Sequence, residues 1–453
     1  MTEKTTHQSQ KSDLPERRDS NPLSRVLLLK SASIAVIARV FGAGFAILTQ
    51  FILAILLDAH EIGLFFVATG LATVLAVIGT LGYPMLVPRI AAQAASENRP
   101  NLLAVFMGRA RIDTSIISGL LICLLLLFVW LAPLPENGIK QSLFFAVLTL
   151  PAFAMLRLNG SLANAQKRFE LGFLPDLFIR PLLLLSFVVT IWLTWENFDI
   201  KIILAGHAVI ATALALWQMR KVAVKGSRAV PSEHKSENLA NESASIWRRR
   251  AAPLMLIALF ISVFADMDIV VSRIFLSDAQ TGIFGVCLKI SLFVAFGIQV
   301  VHQVIQRDIA DALHNRDNSQ IHKIMARANA PALAGSVAAT IAILIFGREV
   351  LGFFGDEFVA GYTSLVILMF SIVLRAIAGP VGQVLALGGH EKACLPVFTV
   401  CMILLVLGNF VLISWLGLPG AAVTVLIVSA VWSVWLAVIA KKKLDLNTCV
   451  IFA

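Results

Sequence analysis

The sequence predicts an all-α polytopic membrane protein with about twelve transmembrane helices, arranged as two parallel six-helix halves around a central cleft. Three observations lead to this fold class. Of the 453 residues, 58% are apolar and 14% are charged, and the mean hydropathy is +0.85, which is outside the range of soluble domains. Long apolar runs recur along the whole chain, and one short motif occurs twice.

Twelve apolar runs are long enough to cross about 30 Å of hydrocarbon, which requires about 20 helical residues. They lack the alternating pattern of strands in a membrane β-barrel, so each run is expected to be a helix. The predicted spans are 31–57, 62–83, 114–132, 141–163, 171–195, 201–219, 251–276, 280–306, 329–347, 359–387, 393–416 and 418–440.

The repeated motif indicates how these runs are organised. LLDAHEIGLFFVA and FLSDAQTGIFGVC align with an offset of 219 residues, which places Gly63 on Gly282 and Phe65 on Phe284. Six helices per half is an even number, so both halves begin on the same side of the membrane and are parallel repeats. A cleft between such halves is where transporters bind their substrates.

Basic residues predict the orientation and the domain boundaries. With the N-terminus in the cytoplasm, most Lys and Arg residues fall in cytoplasmic segments, and only Lys140, Lys201 and Arg348 fall in the opposite loops. We therefore predict a multi-pass membrane protein with both termini cytoplasmic. The predicted segments are a disordered cytoplasmic tail (1–29), a six-helix bundle (30–220), a basic cytoplasmic linker (221–250), a second six-helix bundle (251–440) and a cytoplasmic tail (441–453).

Charge and motif content exclude several classes of protein. The net charge of +10 is explained by basic loops that face anionic membrane lipids, without a nucleic-acid partner. The five cysteines and eight histidines show no disulfide or metal-binding spacing, and no phosphate-binding loop or dinucleotide fingerprint occurs. We therefore expect no cofactor, no metal site and no ATPase activity within this chain.

Both copies of the motif resemble signatures of one family. The stretch from Ala265 to Ile290, which contains FLSDAQTGIFGVCLKI, resembles the seventh-to-eighth-helix signature of the polysaccharide transporter family, the Wzx-like members of the MOP flippase superfamily. LLDAHEIGLFFVATGL resembles the first-to-second-helix counterpart, although family members usually have Tyr where Phe284 stands. The resemblance implies a MATE/MOP-like fold.

The same resemblance implies a location in the bacterial inner membrane and a function. Proteins of this family move undecaprenyl-pyrophosphate-linked oligosaccharide from the inner to the outer leaflet by alternating access. The product serves the synthesis of O-antigen, capsule or exopolysaccharide. The implied partners are the lipid-linked oligosaccharide, the membrane lipids, and polysaccharide polymerase and chain-length proteins.

Ionisable residues inside predicted helices are the candidate site, because a charge in hydrocarbon is costly and usually faces a cavity or a partner. Asp176 with Arg180, and Arg109 with Asp113, are four residues apart and are expected to pair. Arg273 lies near the outer end of its helix, where it contacts substrate or extends toward the interface.

Three further cations lack a carboxylate on the same helix turn, namely Arg39, Lys289 and Arg375. Together with Arg273 they are candidate ligands for a pyrophosphate, to which a guanidinium donates two parallel hydrogen bonds. Arg375 also precedes Gly379 and Pro380, which should weaken or kink the helix. The alternative is that Lys289 or Arg375 forms an ion pair that locks the halves together.

Asp266 and Asp268 are the possible partners of that pair and the candidates for ion coupling. Being two residues apart on a helix, they point to different faces, so only one easily faces the cleft. A cleft carboxylate could bind a proton or Na⁺, whereas the alternative, favoured for Asp268, is a hydrogen bond that holds a neighbouring helix.

Three function classes remain to be distinguished. A lipid-linked sugar flippase predicts a basic cavity. A multidrug or cation antiporter of the related MATE branch predicts a cleft dominated by carboxylates and aromatic residues, whereas the cations inside these helices are as numerous as the anions. A membrane polymerase or ligase predicts a large outer catalytic loop, but the longest outer loop, 347–361, is short. The sequence therefore favours a flippase that is not an enzyme.

Overall fold

The computed structural model describes residues 40–131, 138–194, 199–222, 235–314 and 317–446. These residues form α-helices with short 3-10 and π segments and no β-strand. Four predicted features lie outside this part of the chain: the N-terminal tail, Arg39, residues 223–234 of the linker and residues 447–453. The helices of the first half are α1 (Val40–Leu56), α2 (Ala59–Gly79), α3 (Tyr83–Ser96), α4 (Pro100–Leu131), α5 (Ile139–Ala165), α6 (Phe169–Leu174), α7 (Arg180–Thr194) and α8 (Ile200–Lys221). Those of the second half are α9 (Lys235–Ser272), α10 (Asp278–His314), α11 (Asn318–Gly352), α12 (Tyr362–Ala378), α13 (Val381–Leu387), α14 (Leu395–Leu416) and α15 (Leu418–Leu444).

Ten spans in the described residues are long and apolar enough to cross a membrane. They match ten of the predicted spans, and they are Ala59–Ser96, Asn101–Leu131, Lys140–Ala165, Phe169–Thr194, Ile200–Lys221, Asp278–His302, Asn318–Gly352, Asp356–Leu387, Leu395–Leu416 and Leu418–Leu444. The other two predicted spans fall on α1, a shorter apolar helix that starts at the first described residue, and on α9. The total of twelve remains a prediction.

Several helices extend beyond their predicted spans. Helix α4 begins at Pro100 rather than near 114, and α11 begins at Asn318 rather than near 329. Helix α9 begins at Lys235, inside the segment predicted as a linker. Backbone hydrogen bonds hold a helix together in water as well as in lipid, so a scan for 20 apolar residues detects only its membrane-embedded part.

Two of the interruptions inside the spans lie beside candidate site residues. Helix α12 ends at Gly379, where φ is +73°, and α13 begins after Pro380, at the break that the sequence predicts. A π-helical segment, Pro175–Ile179, separates α6 from α7. The first interruption gives Arg375 a position one turn from a helix end.

The ends of the bundle differ in charge. At one end, which we call the acidic end, the exposed and half-buried side chains include Asp58, Glu61, Asp199, Asp278, Asp356 and Glu357. At the other, which we call the basic end, they include Arg89, Arg109, Arg168, Lys221, Arg248 and Lys441–Lys443. The largest apolar core lies toward the acidic end and includes Leu53, Phe65, Phe284, Leu365 and Ala421, so both halves contribute to it.

Helix α9 joins the two halves. Near the basic end the Arg248 guanidinium donates two hydrogen bonds to Asp113 of α4, from Nε at 2.8 Å and Nη2 at 2.7 Å. Asp113 is 2% exposed, accepts a third hydrogen bond from Tyr83 at 2.7 Å, and lies 3.2 Å from Nε of Arg109, its expected helix partner. Hydrogen bonding to Asp113 raises the pKa of Arg248 above its ordinary value, so this contact stays charged.

Candidate substrate-binding site

The first half places four ionisable side chains in one cluster. Arg157 lies on α5, Asp176 in the π segment, Arg180 at the start of α7 and His207 on α8. Arg180 Nε donates to Asp176 Oδ1 at 2.9 Å, as its helix spacing predicts. Its Nη1 lies 3.2 Å from Nε2 of His207, and its guanidinium lies 4.7 Å from the ring centroid of Phe153. This pair is therefore held by neighbouring helices as well as by its own.

The π segment shapes this cluster. The Arg180 N–H bonds to the carbonyl of Pro175, five residues earlier, and the next residue, Pro181, has no N–H with which to continue the α-helical pattern. A π bulge of this kind is frequent at functional sites because it changes the direction of the side chains on either side.

The second half adds an ion pair that faces the first half. Lys289 Nζ of α10 lies 3.3 Å from Asp266 Oδ1 of α9, with side-chain exposures of 16% and 26%. Nζ also lies 5.8 Å from the ring centroid of Phe66 on α2. A Cβ added at Gly70 of α2 would lie 3.3 Å from the Asp266 carbonyl oxygen, so this glycine allows α9 to approach.

Arg157 connects the two groups of charges. It is half-buried, and the charges of Asp176, Arg180 and Asp266 all act on it. We call Arg157, Asp176, Arg180, His207, Asp266 and Lys289 the charged cluster.

Arg375 forms a separate cationic position on α12. Its guanidinium lies 5.0 Å from the ring centroid of Trp432 on α15. His302, whose Nε2 lies 3.2 Å from Asn329 Oδ1, is near enough for the Arg375 charge to act on it. No carboxylate lies within ion-pairing distance of Arg375 in the described ranges. Its charge is thus held by an aromatic face rather than neutralised.

The remaining predicted site residues lie elsewhere. Asp268 is fully buried between α9 and α14, where Asn409 Nδ2 donates to its Oδ1 at 3.2 Å; its Oδ2 is buried without a hydrogen-bond partner among the described residues. Arg273 lies at the acidic end, with Nε 2.6 Å from Asp278 Oδ1. Arg39 lies outside the described residues.

The predicted and observed sites overlap in part. The structure brings Lys289 and Asp266 together, which is the ion pair that the sequence left as an alternative, and it leaves Arg375 paired with neither aspartate. The distribution of basic residues assigns Arg157 to a cytoplasmic segment, and the sequence predicts that His207 is packed or interfacial rather than a ligand, so neither was a candidate. The available signal was that Arg157 falls inside the predicted span 141–163, six residues from its end.

The site has a net positive charge. It contains the cations Arg157, Arg180, Lys289 and Arg375 against the carboxylates Asp176 and Asp266. No group of three or more His, Cys, Asp and Glu side chains converges on a metal position within the part of the chain that the structure describes. Partly exposed cations of this kind can bind an anionic group of a ligand.

Solved structures resemble this chain over most of its length. An inward-facing multidrug resistance MATE family transporter of the MOP superfamily has a TM-score of 0.69 at 12% identity, covering 90% of this chain and 98% of that one. The lipid II flippase MurJ in an inward closed conformation has 0.68 at 13% identity, covering 90% and 87%. An outward-facing multidrug resistance MATE transporter has 0.58 at 15% identity, covering 92% and 96%.

Sequence comparison gives a shorter match, and no protein-family model matches the chain. The protein named "Probable low-salt glycan biosynthesis flippase Agl15" from Haloferax volcanii is 23% identical over 161 residues. These residues are 35% of this chain and 34% of Agl15, so the match spans about a third of each protein. The structural matches show that the chain has the fold of the MOP-superfamily transporters, which include the MATE proteins and MurJ.

Proposed function

We propose that this protein is a flippase that moves undecaprenyl-pyrophosphate-linked oligosaccharide across the bacterial inner membrane by alternating access, for the synthesis of a surface polysaccharide. It forms and breaks no covalent bond, so it is not an enzyme. The observation that supports this proposal most directly is the excess of cations, four against two carboxylates, when the charged cluster and the separate Arg375 position are counted together. The partial match to a glycan flippase and the fold shared with MurJ also support it.

The substrate chemistry explains why such a site is required. A pyrophosphate carries at least two negative charges, and moving them through hydrocarbon without partners is prohibitively costly. In this proposal, the cations of the charged cluster and Arg375 replace water around the phosphates while the lipid tail remains in the bilayer. Arg375 suits this role because no carboxylate competes for its guanidinium, and the fork of an arginine matches two phosphate oxygens.

The other cations contribute to pyrophosphate binding to different extents in this proposal. Arg157 and Arg180 extend the positive surface along the first half, whereas Lys289 is partly neutralised by Asp266 and contributes less. Arg39 remains a candidate ligand. Arg273 is paired with Asp278 at the acidic end, and we assign it to that end rather than to the pyrophosphate.

The proposed orientation places the basic end in the cytoplasm. Basic residues accumulate on the cytoplasmic side of membrane proteins, and both described termini of the bundle lie at or lead toward this end. The substrate would enter from the basic end and leave at the acidic end, where polysaccharide polymerase and chain-length proteins would receive it.

We assign the coupling ion to Asp268. A fully buried carboxylate with one amide donor and one bare oxygen is a strong candidate to bind a proton or Na⁺, because the uncompensated charge is costly. Asp268 also joins α9 to α14, so neutralising its charge would alter the helix that connects the halves. Asp266, already paired with Lys289, is the second candidate.

A multidrug or cation antiporter of the MATE branch is the alternative function. Asp176 and Asp266 favour it, because a cationic drug would need carboxylates, and so does the similarity to a MATE transporter. Both carboxylates, however, already lie beside a cation of their own.

The test is expression in a panel of strains that each lack their own flippase and make a different lipid-linked oligosaccharide. Restored surface polysaccharide in at least one strain, with unchanged susceptibility to cationic drugs, is the expected result. Raised drug resistance without restored polysaccharide in any strain would contradict the flippase proposal and favour the antiporter.

A further inference from the structure

The repeated motif builds the contact between the two halves at the acidic end. Helices α2 and α10 both begin there and cross at a distance that admits only glycine. A Cβ added at Gly63 would overlap the carbonyl oxygen of Asp278 and lie 3.0 Å from the amide nitrogen of Gly282. A Cβ added at Gly282 would overlap the carbonyl oxygen of Ala59. Each glycine therefore receives the backbone of the opposite half.

This contact is symmetric. The offset of 219 residues that relates Gly63 to Gly282 also relates Ala59 to Asp278. Gly63 of the first half therefore faces the carbonyl of Asp278, and Gly282 of the second half faces the carbonyl of Ala59. The arrangement resembles the self-complementary interface of a two-fold dimer. The same two motif positions are therefore used once in each half, which explains why this chain carries the motif in both halves.

Polar groups flank the crossing. Glu357, at the turn before α12, accepts a hydrogen bond from the Ala59 N–H at 2.7 Å, so a carboxylate of the second half caps the first turn of α2. On the other side, Asp278 lies 2.6 Å from Arg273 and 3.6 Å from His60 of α2. The contacts of Glu357 with Ala59 and of Asp278 with His60 also join the halves at this end.

We propose that this crossing, formed by Ala59, Gly63, Asp278 and Gly282 and capped by Glu357, is the seal that closes the acidic end of the transport pathway. The halves separate at the seal when the acidic end opens. The stability of the seal therefore sets the ratio of molecules closed at the acidic end to molecules open there.

The seal makes a sharp prediction because its contacts involve backbone atoms. A methyl group at Gly63 or Gly282 meets a carbonyl that cannot rotate away, so α2 and α10 must move apart. The substituted protein should then favour the open acidic end. By contrast, a Cβ added at Gly297, farther along α10, meets no atom within 4 Å, which makes Gly297→Ala a matched control on the same helix.

The experiment measures the distance between the halves at the acidic end. Spin labels are attached to Lys201→Cys and Phe353→Cys, two exposed positions on opposite halves, after the five native cysteines are replaced by serine. Double electron–electron resonance in lipid nanodiscs then gives the distance distribution. Gly63→Ala and Gly282→Ala should each raise the ratio of long-distance to short-distance populations by about tenfold or more over the parent.

Glu357→Ala provides a second variant that adds no bulk and should fold if the glycine variants do not. Loss of this cap should raise the same ratio by about fivefold. Gly297→Ala should leave it unchanged. Parent-like distributions for both glycine variants, or for Glu357→Ala if those do not accumulate, would overturn the proposal, as would an equal shift in Gly297→Ala.

The proposal relies on the proposed function only for the direction of substrate movement. The distance measurement needs no substrate, so it can succeed even if the protein carries another ligand. Conversely, a failed seal would leave the proposed flippase activity untouched.

Discussion

Arg375 differs from the other cations of the site in what holds it. Arg180 and Lys289 each lie beside a carboxylate, whereas the Arg375 guanidinium lies over the Trp432 ring. A cation over an aromatic face is held in place without losing its charge. Arg375 therefore remains able to bind an anion, and replacing it should affect transport more than folding.

Arg375→Ala should reduce transport by about tenfold to a hundredfold, because a charge-assisted hydrogen bond to phosphate is worth about 1.5–3 kcal/mol. Arg375→Lys should recover part of the activity, since it keeps the charge and loses the fork. Surface polysaccharide and membrane abundance are measured together in a strain that lacks its own flippase. Arg348→Ala is the control, because Arg348 also lies over an aromatic ring, Tyr362 at 5.2 Å, but is exposed at the acidic end. Normal polysaccharide at normal abundance in Arg375→Ala would exclude this role.

Asp268→Asn tests the coupling assignment. The amide has nearly the shape of the carboxylate, so the protein should accumulate normally. Because the amide carries no negative charge with which to bind a proton or Na⁺, the transport rate should no longer respond to dissipation of ion gradients. Asp308→Asn, an exposed substitution near the basic end of α10, should keep the response. A gradient-dependent rate in Asp268→Asn would refute the assignment, and low abundance with an intact response would show that the aspartate only holds α14.

The sequence identified Lys289, Arg375 and Asp266 as candidates but left open which cation pairs with which carboxylate. The free-energy cost of a charge in hydrocarbon identifies Lys289, Arg375 and Asp266 as residues that must face a cavity or a partner. Which cation pairs with which carboxylate depends on how α9, α10 and α12 pack, and residue spacing within one helix carries no information about that. The i,i+4 pair of Asp176 and Arg180 was predictable because a single helix sets its geometry.

Among the helices, α9 of the second half makes polar contacts with both halves. Arg248 near its start is bound to Asp113 of α4, and Asp268 near its end is bound to Asn409 of α14. A helix anchored to one half at its first turns and to the other at its last can transmit motion between them.

The Arg248 anchor should stabilise the folded protein measurably. Arg248→Ala removes two charge-assisted hydrogen bonds from a buried carboxylate and should lower the free energy of unfolding by about 1–3 kcal/mol. Arg248→Lys should cost less, since a lysine keeps the charge but not the two parallel bonds. Thermal unfolding of the purified protein in detergent reports both values. Arg249→Ala, at an exposed neighbouring position, is the control, and an effect as large as that of Arg248→Ala would contradict a specific anchor.

Element positions were predictable to the extent that the membrane dictates them. The hydrocarbon thickness sets the length of an apolar run, so ten described spans coincide with predicted ones. The break after Arg375 followed from Gly379 and Pro380. The π segment did not, because prolines six residues apart at Pro175 and Pro181 allow a kink of several kinds, and packing around Arg180 decides among them.

The whole molecule is built from two related halves, and its transport direction depends on which end faces the cytoplasm. The charge difference between the ends favours a cytoplasmic basic end. The repeat was visible in the sequence, but its consequence was not, since only the structure brings Gly63 and Gly282 together.

Fusions to a reporter that is active only in the cytoplasm test the orientation. Fusion after Lys443 and insertion within 225–237 should both give signal, because Lys443 and the residues that flank the insertion, Lys221 and Arg248, lie at the basic end. A fusion after Lys201, at the acidic end, should give none. Silence at either basic position in a protein that reaches the membrane would contradict the orientation and the twelve-helix prediction.

The most direct test of the account is translocation by the purified protein. Proteoliposomes carry a fluorescent undecaprenyl-pyrophosphate-linked oligosaccharide, and its appearance in the outer leaflet is followed by cleavage with a glycosidase that cannot cross the membrane. The account predicts translocation well above that of protein-free liposomes, a rate about tenfold or more lower in Arg375→Ala at equal reconstitution, and little movement of the same polyprenol without phosphate. Translocation no faster than in protein-free liposomes, or a rate in Arg375→Ala equal to that of the parent, would contradict it.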